Sequence, residues 1–544
     1  MGRFRQNQIL AGAAVAFLVA APLCAVAQEA MRTEAGITDN PKLIEIPTAA
    51  REQPPATDPL ATLDPADRAI AERIRDNLQP KPNRIFANEN ELAAVEAFYQ
   101  KRNYAPLWLD KGAENARSKA VIARLKNADT DGLDPADYKT PSLAGLASDA
   151  LAEAELTLTQ AVLTYARHVQ AGRAPHRMVR DSNIGLPQKA PDPAEVLQTV
   201  AEAADAGKAL DQFSPPHEPY QKLKAALAEL RASASGGRKD HSTRDRRIDT
   251  VIANMERWRW YRRDLGAAHI EVNEADFSLK VLQEGRQIWA SRIVIGMPSM
   301  PSPLLSEKMV SITVNPTWHV PPSIVQNEYP PAQRRDPGVL ARMGIRVERK
   351  DGEVQMFMSP GGENPLGRIR FNFYNRFLVF QHDSPDQYLF AHKVRAESHG
   401  CMRVQDAPKY AEILSGIAHP EEQWTAARIR STYRGPEYEI DLQSVPIWIH
   451  LTYQTAFVDG TGKLEIRPDI YNLDSRTLAA IKSAHTISPA APAPEMKSGP
   501  AIAAPAPAAP ARHRKAVHRA PRQGQVTTTT TGYPPVFFGG GTRF

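Results

Sequence analysis

Near His269 the spacing of apolar residues changes period, and that change limits the architecture of this chain more than any other feature. Before it, apolar residues recur at helical intervals: Leu92, Val95 and Tyr99, then Val162, Tyr165, Ala166 and Val169, then Leu223, Ala226, Leu227 and Leu230. Each set lays one stripe along a helix. After it, Phe277, Leu279 and Val281 alternate with polar residues, Glu284-Gly285 supplies a turn, and Ile293 to Ile295, Ile312 and Val314 continue the alternation. Further strands are expected over 368–373, 377–381, 445–457 and 463–467. A two-residue period presents no continuous face on a helix, and a 3.6-residue period none on a sheet. The chain is therefore expected to be α+β, a mostly α-helical N-terminal scaffold followed by a β domain. Many short strands with Gly and Pro turns predict a mainly antiparallel sandwich or open barrel.

The expected layout is a helical scaffold over 61–240, a connecting helix over 241–267 and the β domain over 268–486. Residues 232–240, ASASGGRKD, read as a hinge. Trp258-Arg259-Trp260-Tyr261 is expected to pack between modules rather than to stack on bases. The acidic stretch from Asp129 to Pro135 lacks the oxygen-ligand spacing of a calcium loop and reads as a turn with helix caps. Residues 321–358, rich in proline with a short helix expected over Pro337 to Met343, interrupt the strands as a flap over a site.

The two ends read differently. Arg3 and Arg5 precede an apolar run from Ile9 to Val26, and Ala25-Val26-Ala27 has the small-x-small pattern of a cleavage site, so residues 1–27 are expected to be a signal peptide. Residues 28–60 form a polar, Pro-rich flexible lead-in. No later apolar run is long enough to span a bilayer, so no membrane span is expected once the signal is removed. Residues 487–544, with an alanine-rich stretch, many prolines and five consecutive threonines, are expected to be a disordered basic tail. The formal charge of the chain is +6, and the tail carries all of it, which leaves the rest neutral. A neutral folded part offers no basic surface for nucleic acid.

Cleavage after Ala27 would remove Cys24 and leave Cys401 as the single cysteine. Exported proteins normally pair their structural cysteines, so a lone thiol is either a small buried hydrophobe or a reactive group. Its neighbours favour the second. Residues 378–404, LVFQHDSPDQYLFAHKVRAESHGCMRV, gather His382, His392, His399 and Cys401. Their spacing does not match the paired short hooks of a zinc site, and no metal or cofactor is expected. Nucleophilic catalysis needs only a histidine able to take the thiol proton, since a cysteine of ordinary pKa, ~8.5, is mostly protonated at neutral pH. His399 could face the same way as Cys401 in an extended segment, and His382 could approach from the preceding strand. Gly400 lets backbone N–H groups come close to a developing oxyanion. Acyl transfer is the natural reaction class.

The stretches FQHDSP and SHGCMRV resemble the active-site signature of the L,D-transpeptidase family. NPTWHVPPSI (315–324), PGGENPLGRIRFNF (360–373) and VPIWIHLTYQTAFVDGTGKLEIRPDIY (445–471) resemble flanking segments of its large periplasmic members. FYQKRNYAPLWL (98–109), DGLDPADY (131–138) and SPPHEPYQKLKAAL (214–227) resemble their scaffold region. The resemblance implies peptidoglycan remodelling in the periplasm. Cys401 would attack the third residue of a donor tetrapeptide stem, release D-alanine and hold the rest as a thioester for the amine of an acceptor stem. His382 would be the base, held by the backbone carbonyl just after it, that of Asp383. His399, Gly400 and Cys401 would line the oxyanion pocket, and Arg403 would brace the loop or meet a substrate carboxylate. Phe380 stands at a substrate-contacting position where members often carry tyrosine. Water or an outer-membrane protein as acceptor, or a non-catalytic cell-wall scaffold, are the alternatives. The small peptidoglycan-binding module that large members often place between scaffold and catalytic domain has no room here, with only 231–250 available.

Overall fold

The structure, a computed structural model, describes residues 59–484 apart from 175, 180–182, 234–237, 322–323, 326–328 and 351–352. The expected signal peptide, all but the end of the lead-in, and the C-terminal tail lie outside the described residues. Among those described, no helix is long and apolar enough to cross a membrane.

The N-terminal part is built from α1 (Pro65–Leu78), α2 (Glu89–Lys101), α3 (Ala116–Lys126), α4 (Ser148–Ala171), α5 (Pro193–Glu202), α6 (Ala206–Ala209), α7 (Glu218–Ala232) and α8 (Arg238–Trp258). Short polar side chains start them: Asp64, Asn88, Asn115, Asp192 and Asp205 each accept a first-turn backbone N–H, which satisfies donors that have no partner within the helix. The stripes foreseen on α2, α4 and α7 are buried, and α4 lies at the centre of the helical core. Each such Leu or Val stabilises the fold by roughly 1.5–3 kcal/mol relative to exposure. Arg238 to Asp240, expected in the hinge, already belong to α8, because nothing in Arg-Lys-Asp opposes a helix once the glycine pair is passed.

The acidic stretch forms two short 3-10 turns, Ala128–Asp131 and Pro135–Asp137, the second capped by Asp134. Asp131 goes further than a cap. It is fully buried and meets Arg124 at 2.6 Å, Lys224 at 2.7 Å and the Tyr165 hydroxyl at 2.8 Å.

Two short strands, β1 (Leu109–Asp110) and β2 (Ala113–Glu114), pair within the helical part, and β3 (Ile184–Gly185) leaves it. The β domain follows with β4 (Ala268–Asn273), β5 (Ser278–Gln283), β6 (Arg286–Gly296) and β7 (Leu304–Val314). Strand β8 (Trp318–His319) lies just before the flap, which holds β9 (Ile345–Lys350) and β10 (Glu353–Met358). Then come β11 (Ile369–Phe373), β12 (Gln381–His382), β13 (Ala396–Ser398), β14 (Met402–Val404), β15 (Tyr438–Asp441), β16 (Ile447–Thr452), β17 (Ala456–Val458) and β18 (Leu464–Ile466).

The main sheet runs β11-β12-β14-β6-β5-β4-β16-β7-β15, and β11 also pairs with β7, so the hydrogen-bonded path returns to its start. Most pairs are antiparallel; β4 with β16, β12 with β14, β13 with β6 and β3 with β7 are parallel. Inside lie the alternating residues Ile270, Val272, Leu279, Val281, Ile312, Val314, Ile369 and Phe371, closed by Tyr410, Ala411 and Leu414 of the helix Ala407–Ala418.

Three strand expectations are corrected. Phe277 is not in a strand but ends a 3-10 turn in the left-handed region at φ 53°. Residues 377–380 form a loop, because Asn375 Oδ1 accepts from the Phe377 and Val379 N–H groups and Leu378 sits at φ 57°. The stretch 445–457 divides into β16 and β17. The flap is also richer than one short helix. It carries the helices Tyr329–Arg335 and Val339–Arg342 and the strands β9 and β10, which join the preceding β8 in a sheet β8-β10-β9 with a small core around Trp318, Tyr329, Leu340 and Met356.

The helical part docks on the β domain through buried aromatic and charged groups. Trp258, Trp260 and Tyr261 are buried among residues of both, and the Tyr261 hydroxyl donates to the Leu451 carbonyl at 2.7 Å. Arg257 donates to the Tyr453 carbonyl at 2.9 Å and to Asp474 at 2.7 Å. Strand β3 adds directly to β7.

Candidate active site

The site grows from strand alternation. Met402 and Val404 of β14 are fully buried in the core, so Cys401 and Arg403, one step out of phase with them, face the other side, where both are half-buried. Strand β12 lies beside β14 with Gln381 opposite Met402 and His382 opposite Arg403. The Met402 N–H donates to the Phe380 carbonyl at 3.1 Å. Phe380, His382, Cys401 and Arg403 therefore share one face. The register is pinned from behind, where the Tyr410 hydroxyl donates to Gln381 Oε1 at 2.8 Å.

His382 is 5% exposed, and its Nδ1 lies 2.6 Å from the Asp383 carbonyl oxygen. A carbonyl can only accept, so Nδ1 carries the proton and Nε2 is left with the lone pair. Asp383 is fixed in turn: the Arg368 N–H donates to its Oδ2 at 2.9 Å. Burial first, then the Arg403 charge, push the His382 imidazole down to about 3, over the opposing hydrogen bond to Asp383. Burial pushes the Cys401 thiol up to about 11, against the pull of a backbone hydrogen bond from Phe380 and of the Arg370 charge. The resting groups are thus a neutral thiol and a neutral imidazole rather than an ion pair.

The turn before the thiol is held by serines. Ser302 Oγ donates to the Gly400 carbonyl at 2.7 Å, Ser398 Oγ donates to the Cys401 carbonyl at 2.5 Å, and the Gly400 N–H donates to Ser398 Oγ at 3.2 Å. Gly400 adopts φ 110°, a conformation that L side chains rarely take. That twist breaks the alternation between residues 399 and 401. His399 is exposed while Cys401 is half-buried.

The other expected residues divide in the same way. Arg403 donates to Asp386 Oδ2 at 2.8 Å and to Ser384 Oγ at 3.3 Å, so it braces the loop after His382. The Phe380 ring meets the His382 ring edge-on, 5.8 Å between centroids, and packs against the flap core on its other side. His392 is turned away, its Nδ1 2.6 Å from Glu397. Among the described residues, the one grouping able to hold a metal ion is His419, Glu421 and Glu422 on the domain surface, which includes none of these residues.

Sequence reasoning missed Arg370, which lies directly opposite His382 on β11. Its polar position in Ile-Arg-Phe-Asn-Phe marks it as facing away from the core, but not which strand lies next to it. It also missed Ser302 and Ser398, whose roles depend on a turn that no local pattern announces.

Residues 267–454 match the family model of the L,D-transpeptidase catalytic domain, and residues 93–227 match that of a scaffold domain. A Haemophilus influenzae protein provisionally named an L,D-transpeptidase is 27% identical over 225 residues, 38% of this chain and 44% of the relative. The match thus spans less than half the length of that curated relative. Solved L,D-transpeptidases from Mycobacterium smegmatis and, with a faropenem-derived adduct, Mycobacterium tuberculosis are 11% and 12% identical. They cover 34% of this chain and 59% and 60% of their own, with TM-scores of 0.19 and 0.18, too low to add to the fold assignment. With the catalytic-domain model lying over His382 and Cys401, and the scaffold model over the helices before them, this chain carries an L,D-transpeptidase catalytic domain preceded by a scaffold domain.

Proposed function

We propose that this protein is a periplasmic L,D-transpeptidase that forms 3-3 peptidoglycan cross-links through a thioester on Cys401. The observation that carries this reading is the hydrogen bond from His382 Nδ1 to the Asp383 carbonyl, which leaves the Nε2 lone pair as base on the strand beside the thiol. The thiol proton passes to His382 Nε2 as the sulfur attacks the carbonyl carbon of the third stem residue. The resulting oxyanion accepts hydrogen bonds from the backbone. The Gly400 N–H is engaged by Ser398, so this falls chiefly to the Cys401 N–H, which has no acceptor among the described residues. As the carbon–nitrogen bond breaks, His382 returns the proton to the departing D-alanine amine. The side-chain amine of a second stem then attacks the thioester, gives up a proton to His382, and the sulfur leaves.

The thiol at about 11 and the imidazole at about 3 favour proton transfer in step with attack over a preformed ion pair. Arg403, tied to Asp386, keeps the loop after His382 in place. Phe380 and the flap core behind it give the site an apolar wall.

Mass spectrometry of muropeptides incubated with the full chain tests the reading. Dimers linked between third residues, with free D-alanine, are the expected products. Trimmed tripeptides alone would mean that water is the acceptor, and stems attached to an added outer-membrane protein would mean a protein acceptor. Cys401→Ala should yield none of these, and a carbapenem should add its mass to Cys401. Turnover by the alanine variant would overturn the assignment.

A further inference from the structure

One polar row crosses five neighbouring strands through the site. In register, Glu439 of β15 faces Thr313 of β7, Thr313 faces Arg370 of β11, Arg370 faces His382 of β12, and His382 faces Arg403 of β14. The two arginines differ. Arg403 is neutralised by Asp386 at 2.8 Å. Arg370 has no carboxylate within ion-pair reach among the described residues. It makes one long hydrogen bond, 3.4 Å, to Thr313 Oγ1, and its Nε is buried without a partner. Thr313 in turn donates to Glu439 at 3.1 Å, which engages that acid on the threonine. The guanidinium carbon lies 5.6 Å from the centre of the Phe380 ring, and the Phe380 carbonyl accepts from the N–H of Met402, the residue after Cys401.

A half-buried cation without a counter-ion is costly, and a protein retains one where an anion forms during function. We propose that Arg370 is a positioning residue whose guanidinium supplies the positive charge for the Cys401 thiolate, the part that an imidazolium plays in a conventional cysteine–histidine pair. His382 is poorly placed to play it, because a cation stands on either side of it in the row. The charged and titratable groups on the strands beside the sulfur are Arg370 of β11, His382 of β12 and Arg403 of β14. Asp383 and Asp386 are held by Arg368 and Arg403, and Glu437 and Glu439 lie beyond Thr313 and Thr317. The inference rests on Cys401 being the nucleophile but concerns its ionisation, which is measurable without substrate.

The test is the pH dependence of Cys401 alkylation by iodoacetamide in the full chain, read on the Cys401 peptide by mass spectrometry. Arg370→Met should raise the midpoint by about one unit and slow alkylation at neutral pH about tenfold. Arg370→Lys, which keeps the charge, should stay within about half a unit of the parent. A folded methionine variant with the parent profile overturns the proposal, as does a lysine variant that shifts as far as methionine. An effect confined to KM for the donor stem, with alkylation unchanged, also overturns it and assigns the guanidinium to a substrate carboxylate. Should the methionine variant not fold, the parent protein decides: it should favour iodoacetate over iodoacetamide more than free cysteine does, and equal preference overturns the proposal. A Cys401→Ala variant that still turned over stems would remove the transpeptidase reading without touching the alkylation result.

Discussion

The helical scaffold and the catalytic face treat buried charge in opposite ways. In the scaffold, Asp131 is surrounded by Arg124, Lys224 and Tyr165, Arg259 meets Glu256 at 2.8 Å, and Arg173 meets Asp137 at 2.5 Å. On the catalytic face, His382 sits between two arginines, and Arg370 has no carboxylate within ion-pair reach among the described residues. A buried pair, once formed, is destabilised mainly by losing one partner, whereas an unpaired charge is a standing cost. The scaffold spends its buried charges on holding a shape, and the site keeps one uncompensated for use in the reaction.

That contrast can be broken or sharpened by substitution. The largest effect is expected from Cys401→Ala, which should lower stem-peptide turnover by at least about 10⁴-fold with an unchanged urea midpoint, because the half-buried thiol contributes little packing. His382→Gln should follow with a loss of about 10²–10⁴-fold, the range of a general base. His399→Gln, at an exposed position, should cost less than about tenfold, and the reverse order would exchange the two roles. In the scaffold, Asp131→Ala should cost about 3–5 kcal/mol in urea denaturation by leaving Arg124 and Lys224 facing each other, while the turnover of the folded fraction stays unchanged.

Acid should distinguish the regions more gently. His382, held down to about 3, and His450, held down to about 4 by burial, stay neutral in the folded protein while the unfolded chain takes up protons below its ordinary value, ~6.5. Their contribution to stability is complete above that value and is lost as pH falls toward the folded values, by about 1.4 kcal/mol per histidine per pH unit. Asp131, held below the usual carboxylate range by Arg124 and Lys224 against its own burial, loses its contribution only as pH drops further, through the acid range of its carboxyl. Urea midpoints across this range should therefore fall less steeply in His450→Gln than in the parent. The smallest effect is expected from Arg370→Met, whose stability should lie within about 1 kcal/mol of the parent because the removed charge had no partner to strand. A loss as large as that of Asp131→Ala would erase the difference between the two regions.

The helices and most of the sheet were legible because each buries one regular face, and periodicity reports that directly. The stripes on α2, α4 and α7 and the alternation in β5, β7 and β11 needed no tertiary information. The loop 377–380 was misread as strand because its residues are strand-like, while the side chain of Asn375 holds it out of the ladder. The small sheet of the flap escaped because β9 and β10, Ile-Arg-Val-Glu-Arg-Lys and Glu-Val-Gln-Met-Phe-Met, lie among prolines that suggested irregular chain.

The site was legible in part for a different reason. His382, Gly400, Cys401 and Arg403 stand within a short stretch, so their grouping follows from chain connectivity. Linear distance alone favoured His399, two residues from the thiol, as much as His382. The left-handed turn at Gly400 and the parallel pairing of β12 with β14 brought the distant histidine beside Cys401's strand and turned the near one outward.

The sequence by itself determined the two kinds of core, the order in which they occur and the residue types available for chemistry, because burial of a regular face is a local property of the chain. Tertiary structure alone decided which neighbours those residues acquired across the sheet: the carbonyl that orients His382, the acid that neutralises Arg403, and the lack, among the described residues, of an ion-paired one for Arg370. Strand register sets those pairings, and register is fixed by the closing of the whole sheet rather than by any one segment of it.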